Sequence, residues 1–399
     1  MAALKYWVWL ASVPALTNRS KLLLLEHFPS PEDIYYADEG EILQVEGLNK
    51  SQAALLLDKS LERAQRILTD CARKELFVLT MDDATYPCRL RNIYDPPILL
   101  YGKGSMPLFD DEAAIAVVGT RKCTPYGVNA AEQLGYEMAK AGAVVVSGLA
   151  KGIDAASHRG ALRAGGFTAA ILGGGVDVVY PPQNRRLYED IAATGVLLSE
   201  YPPQAEPDGW HFPARNRIIS GLCLATVVVE APKKSGALIT ANTALEQGRE
   251  VFAVPGPISA PNSAGCHQLI REGAGLASCG WDVLSEYQNQ FPHRLKNDDQ
   301  PLPPMPEGSE VTVIPAKAVE ESALPVLDLV KNKEGLTDDQ LRIIQVLTTD
   351  EPLLTDDVAE ITGLPVRRVL SALTVLEIDG FAREQGARCF VRTVEIKKE

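Results

Sequence analysis

The sequence predicts an α/β protein: a doubly wound, mainly parallel sheet, with a small helical module before it and a winged helix after it. Three observations carry this prediction. Six short runs that are apolar throughout recur between residues 111 and 283, at 113–118, 143–146, 168–172, 196–198, 225–229 and 251–254, with amphipathic stretches of helical length between them. Strands that are apolar on both faces and alternate with helices belong to a parallel sheet covered on both sides. Ahead of them lie short periodic helical segments, and behind them three helices followed by a hairpin, the order of a winged helix-turn-helix.

Taken in chain order, residues 22–28, 31–37, 39–45 and 51–71 read as helices broken by Pro29, Gly40 and Gly47. The stretch from Ile42 to Leu55 has the outline of a helix-hairpin-helix turning at Gly47, a form that can offer backbone N–H groups to a phosphate or serve simply as a turn. A Pro-punctuated connector from Tyr86 to Gly102 leads into the six apolar runs. Residues 289–334, including the Asp298–Ser309 stretch and the acidic run around Glu320, lack periodicity and read as a linker. Helices are then expected at 338–347, 355–362 and 365–379, with a hairpin around Gly386. The domain plan is therefore 1–75, 76–285, a linker at 286–334, and 335–395.

Composition is that of a globular protein, with 46% hydrophobic and 23% charged residues, which excludes a largely disordered chain. The seven cysteines form no CxxC pair and no His/Cys ligand spacing, so they predict reduced thiols, no structural zinc, and a cytoplasmic protein. The apolar stretch from Tyr6 to Ala11 has only Lys5 before it and no cleavage site, and no run is long enough to span a membrane. The formal charge of −13 argues at first against a polyanion partner. Its distribution removes the objection. Residues 113–283 hold 14 Lys+Arg and 14 Asp+Glu, against 12 and 17 before them and 13 and 21 after them. The acidic excess lies wholly outside the α/β segment.

Ligands of an open parallel sheet bind outside the carboxyl ends of its strands. Those ends carry Gly119-Thr120-Arg121, Ser147-Gly148, Gly173-Gly174-Gly175, Ser199-Glu200, the run from Glu230 to Gly236, and Pro255-Gly256. Small residues behind five of six strands let a ligand backbone approach, and the helix N-termini that follow favour anions. Around them stand Arg121, Lys151 beside Gly152, Arg185, and Lys233 before Ser235-Gly236. Arg215, Asn216 and Arg217 follow Pro213, which suits the first position of a helix. Residues two apart on a helix face differently, so one of Arg215 and Arg217 is expected to meet the ligand and the other to form an internal ion pair. Trp210 and Phe212 are candidates for stacking on bases, with Phe212 preferred. Together these residues form a basic, glycine-lined rim for successive phosphates.

Other chemistries fit less well. The first loop lacks G-x-G-x-x-G, and no G-x-x-x-x-G-K-[ST] occurs, so neither a nicotinamide dinucleotide nor a P-loop nucleotide is expected. Asp154 and His158 stand at i and i+4, but no nucleophile completes a catalytic set around them, and a carboxylate in a first turn is ordinary dipole compensation.

The runs from Gly119 to Gly127, Ser147 to His158, Leu172 to Asp177, Arg215 to Leu222 and Ser235 to Ala241 resemble the DNA-processing protein A (DprA/Smf) family. Val254-Pro-Gly-Pro and the run from Gly265 to Ala274 do so too, and the likeness is collinear over about 76–285. The resemblance implies an extended Rossmann-like domain flanked by a SAM-like helical domain and a winged helix. It implies a non-enzymatic protein without cofactor that binds single-stranded DNA, protects incoming strands in natural transformation and helps load the RecA recombinase. It also implies a homodimer formed through about Pro261 to Leu284. On the winged helix, Arg367 and Arg368 are surrounded by Glu360, Glu377, Asp379 and Glu384, which disfavours duplex binding there. The alternative is a nucleotide-hydrolysing enzyme of the lysine-decarboxylase-like phosphoribohydrolase group. The loop from Lys233 to Thr240 lacks that group's paired glycines and catalytic Glu. A nucleotide-sensing regulator acting through the winged helix is a third reading.

Overall fold

The computed structural model describes residues 4–297, 326–327, 336–349, 353–384 and 389–396. The rest of the expected linker and the hairpin turn at Gly386 lie outside the described residues. The chain divides into an α/β body beginning at Leu79, and a second unit that combines the residues up to Val78 with the C-terminal ones.

Six helices open the chain: α1 (Leu4–Ser12), α2 (Asn18–His27), α3 (Pro31–Tyr36), α4 (Glu39–Ile42), α5 (Lys50–Leu55) and α6 (Glu62–Arg73). The apolar stretch after Lys5 is α1, whose Trp7, Val8, Trp9 and Leu10 are buried. The single helix expected over 51–71 is two, because the chain breaks between Leu55 and Glu62. Asn49 caps α5 by accepting from the Gln52 amide, and Gly47 makes the preceding turn at φ +90°.

One nine-stranded sheet runs through the body, its first strand starting two residues before Leu79: β1 (Phe77–Thr80), β2 (Leu99–Gly104), β3 (Ala114–Val118), β4 (Val144–Ser147), β5 (Thr168–Ile171), β6 (Val196–Ser199), β7 (Ala225–Val228), β8 (Glu250–Ala253) and β9 (Gly275–Leu276). Its order is β1-β2-β6-β5-β4-β3-β7-β8-β9. Strands β3 to β9 pair in parallel, while β2 runs antiparallel to β6. All six apolar runs are strands. Between them run α7 (Cys88–Arg91), α8 (Pro125–Lys140), α9 (Ile153–Arg163), α10 (Arg185–Thr194), α11 (His211–Leu222), α12 (Gly236–Glu246) and α13 (Ala264–Arg271), with α7 following β1, and α14 (Gly280–Leu284) comes after β9. One core joins Ile115, Val117 and Val145 of the sheet to Leu134 and Met138 of α8 and Ile153 of α9. Glycines at the α8–α9 crossing bring the two backbones together: a Cβ on Gly160 would run into the Glu132 carbonyl. Packing continues to Leu295, which is buried, and the Lys296 amide donates to the Ala141 carbonyl at 2.9 Å.

Strand order reverses between β3 and its neighbour β7, so the crevice of this sheet opens at their carboxyl ends.

In the C-terminal region, β10 (Val326–Leu327) pairs with β14 (Glu395–Ile396). The winged helix itself comprises α15 (Asp338–Val346), β11 (Leu353–Leu354), α16 (Thr355–Thr362), α17 (Val366–Ile378), β12 (Ala382–Glu384) and β13 (Cys389–Arg392). Ile343, Val358, Val369, Leu373 and Phe390 form its core. Arg368 of α17 is held in two bonds, 2.8 and 3.0 Å, by Asp339 of α15, whereas Arg367 is exposed. Among the described residues, no helix is long and apolar enough to cross a membrane.

Candidate nucleic-acid interface

The crevice at the switch point is a cleft of about 590 Å³. One wall is the loop after β3, with Gly119, Thr120 and Arg121. The opposite wall is the loop after β7, with Lys234, Ser235 and Gly236. The first turn of α11 closes its end with Phe212, Arg215 and Asn216. A smaller cleft of about 230 Å³ adjoins it and shares Arg121, Tyr180 and Phe212. Gly148, Lys151, Gly173 and Gly174 line that one.

The loop after β3 is fixed by its neighbours. The Thr120 amide donates to the Glu230 carbonyl at 2.7 Å, and the Glu230 carboxylate is used up by the Thr124 amide and hydroxyl at 2.8 and 2.6 Å. Arg121 is exposed, and its guanidinium lies 4.9 Å from the centre of the Phe212 ring. Tyr180 meets the same ring at 5.5 Å between centroids. A cation over an aromatic face gains roughly 0.5–1 kcal/mol at an exposed site. Ser235 caps α12, accepting from the Ala237 amide at 3.3 Å. Arg121, Lys122, Lys151, Lys233 and Lys234 are all exposed, and among the described residues none of them forms an ion pair.

Beneath this rim lies Arg215, only 3% exposed. Its guanidinium donates to the carbonyl of Gly148 at 2.9 Å and to that of Ile171. Burial lowers its pKa to about 10 against the opposing pull of Asp154. Asp154 is itself buried. Burial raises its pKa, while Arg215 and the Ala150 and Gly148 amides act to lower it. One half of the expected division between the two arginines is seen. Arg217 forms the internal ion pairs, to Glu200 at 2.8 Å and Asp95 at 3.0 Å. Arg215, however, is a buried clamp that reaches the cleft only from its floor. Helix α11 also begins two residues before Pro213, which is its third residue.

The glycines have a different role from the one expected. A Cβ on Gly119 would strike Ile153, one on Gly148 the Arg215 guanidinium, and one on Gly173 the Phe212 ring. They make room for the protein's own side chains. Gly152, at φ +82°, lies against the Thr120 and Arg121 carbonyls. Only Gly236 among these faces open space. Ser147 is fully buried, its hydroxyl donating to the Val117 carbonyl at 2.6 Å. Arg185 is exposed at the start of α10, 4.0 Å from Glu189, and lines neither cleft. Lys233 lines a separate cleft behind Ser235. Trp210 is 66% exposed and packs edge-on to Tyr201 and His211, apart from the lining of both clefts.

Lys122, Tyr180 and the loop around Pro207 and Gly209 also line the larger cleft, beyond the residues expected from the sequence. Lys122 follows Arg121 directly and could have been included. Nothing local marks Tyr180, which is brought to Phe212 by tertiary packing.

His158 is fully buried under the same floor. The Thr168 hydroxyl donates to the Val145 carbonyl at 2.7 Å and so accepts from His158 Nδ1, also at 2.7 Å. That fixes the neutral tautomer and leaves Nε2 without a partner. Burial first, then the charges of Arg215 and Arg159, push its pKa down to about 3. The unfolded chain therefore takes up a proton below the ordinary value of 6.5 that the folded chain refuses. Stability from this residue is complete above pH 6.5 and is lost as pH falls, by up to ~1.4 kcal/mol per pH unit. Urea unfolding of wild type and His158→Leu across acidic pH should show a shallower decline in the variant. Asp154, with its raised pKa, acts in the opposite sense, but it is common to both proteins.

Comparison with known proteins adds relatives of this architecture. The family model described as DNA recombination-mediator protein A matches residues 77–288, and that of the DprA winged helix domain matches residues 330–387. Protein Smf of Synechocystis is 35% identical over 403 residues, which cover 96% of this chain and 97% of that protein. The DNA processing protein DprA of Streptococcus pneumoniae is 40% identical over 288 residues, 72% of this chain and 100% of that protein. The X-ray structure of DNA processing protein A from Streptococcus pneumoniae is similar with a TM-score of 0.64 at 39% identity, over 72% of this chain and 99% of that one.

Proposed function

The chain belongs to the DNA recombination-mediator protein A family, and from that premise we propose that its α/β body binds single-stranded DNA along the switch-point cleft. The observation that carries the reading is a set of exposed cations that form no ion pair among the described residues, Arg121, Lys122 and Lys234 in the lining of this cleft and Lys151 in the adjoining one, beside a half-buried aromatic ring, Phe212, that both clefts share. A single strand offers both of the groups such a site needs: phosphates for the cations and unpaired base faces for the ring. In a duplex the base faces are already stacked.

The binding test is a salt series with fluorescent oligothymidylate and a matched duplex. Affinity for the single strand should fall by roughly 0.7 log unit per log unit of salt for each phosphate contact, and the duplex should bind more weakly at every salt concentration. Equal binding of both forms would overturn the assignment.

The physiological role that fits this binding is protection of incoming strands during natural transformation, with delivery to the RecA recombinase. The protein acts as a homodimer joined through about Pro261 to Leu284, in the cytoplasm. Its seven cysteines, four of them buried, are compatible with a reducing compartment. Arg185 and Lys233 extend the phosphate track beyond the main cleft. The protein acts without catalysis. In support, the larger cleft has one carboxylate in its lining, Asp154, and it is buried among backbone amides and Arg215. Release of base from a nucleoside monophosphate by the purified protein would favour the phosphoribohydrolase reading instead.

A further inference from the structure

The wall formed by Lys234, Ser235, Gly236 and Ile239 is shared with a cleft of about 530 Å³ on its far side. This cleft lies between α12 and α13. Its apolar surface comes from Leu238, Ile239 and Leu269, and the carboxamides of Asn242 and Gln268 stand exposed at its edge. Lys233 and Lys234 guard its entrance, against a single carboxylate, Glu272, which already accepts from the Gln268 amide at 2.9 Å. At Gly236 no side chain separates the two clefts, and a Cβ there would meet nothing.

We propose, resting on the single-strand reading above, that the bound strand continues over Ser235 and Gly236 and places a base in this second cleft. A nucleobase needs an apolar surface for its face and neutral partners for its edge. Carboxamides supply a donor and an acceptor together, so they can meet any of the bases. The two lysines then hold the phosphates on either side of that base. Continuity with the first cleft and the surplus of positive charge favour nucleic acid over an acidic peptide, and the cleft takes only the face of α13 that carries Gly265, Gln268 and Leu269, which leaves the opposite face, with His267 and Ile270, to the homodimer proposed above.

The test uses the full chain and oligothymidylates lengthened one nucleotide at a time. Wild-type affinity should rise in two stages, the second when the strand reaches Asn242. Asn242→Asp should weaken, and Asn242→Lys strengthen, binding of the long oligomers by about fivefold each, the effect of one charge near a phosphate at an exposed site. Binding of the shortest oligomers should stay unchanged in both variants. The inference is overturned if long-oligomer affinity ignores the sign of the charge, or if short and long oligomers shift equally. It is also overturned if the variants change the sedimenting mass and not the length dependence, which would give the cleft to a second copy. Loss of short-oligomer discrimination against duplex would instead count against the first cleft.

Discussion

Replacing Arg215 by methionine is expected to lower the stability of the α/β body by about 3–5 kcal/mol, the usual cost of removing one partner from a buried charged cluster. The substitution keeps the length and apolar stem of the side chain and deletes the guanidinium. It leaves the Gly148 and Ile171 carbonyls without their donor, and strands the Asp154 carboxyl in the interior with its main counter-charge gone. Against a total of ~5–15 kcal/mol for a typical domain, a loss of this size is readily measured in urea. A change below ~1 kcal/mol would mean that the guanidinium is not the clamp described above. The two carbonyls belong to the ends of neighbouring strands, β4 and β5. The clamp therefore also sets the height of the loops that carry Lys151 and Gly173, and binding by the folded fraction should weaken with it.

The second large effect concerns binding. The double substitution Arg121→Ala and Lys151→Ala should reduce single-strand affinity about 100-fold, from two charge-assisted contacts of roughly 1.5–3 kcal/mol each, partly offset by neighbouring lysines. The salt slope should become shallower by about 1.4, since each lost phosphate contact removes roughly 0.7. Both side chains are exposed and neither forms an ion pair among the described residues, so stability should move by no more than ~1 kcal/mol, the worth of the Arg121–Phe212 contact. Fluorescence anisotropy at several salt concentrations, beside urea unfolding, separates the two quantities. An unchanged slope with reduced affinity would mean that these cations act without neutralising phosphate.

The strands of the body were readable because parallel strands covered on both faces are apolar throughout, and each run, such as Ala114–Val118, stands out from amphipathic neighbours. The two-residue strand β9 escaped, since Gly275 and Leu276 carry no periodicity. Strand order was not readable at all. The reversal between β3 and β7 that creates the cleft is a property of crossovers, and no local pattern encodes it. At the site, the location of the rim at the strand ends could be inferred, but the reason for the glycines could not. Gly148 and Gly173 look like openings for a ligand, and are filled by Arg215 and Phe212 from a helix some 40 to 70 residues later. Likewise, nothing local distinguishes buried Arg215 from Arg121, because its burial depends on carbonyls supplied by two other strands.

The resting position of Arg121 over Phe212 has a consequence for which polyanions the protein accepts. A phosphate that draws the guanidinium away uncovers the ring, and the lost attraction is recovered only if a flat, unpaired base takes its place. Polyphosphate and sulfated polysaccharides bring charge without bases, so on the binding reading proposed above they would pull the cation away and leave an apolar face wet. On that reading the contact would work as a two-part lock, in which charge alone turns only half of the key.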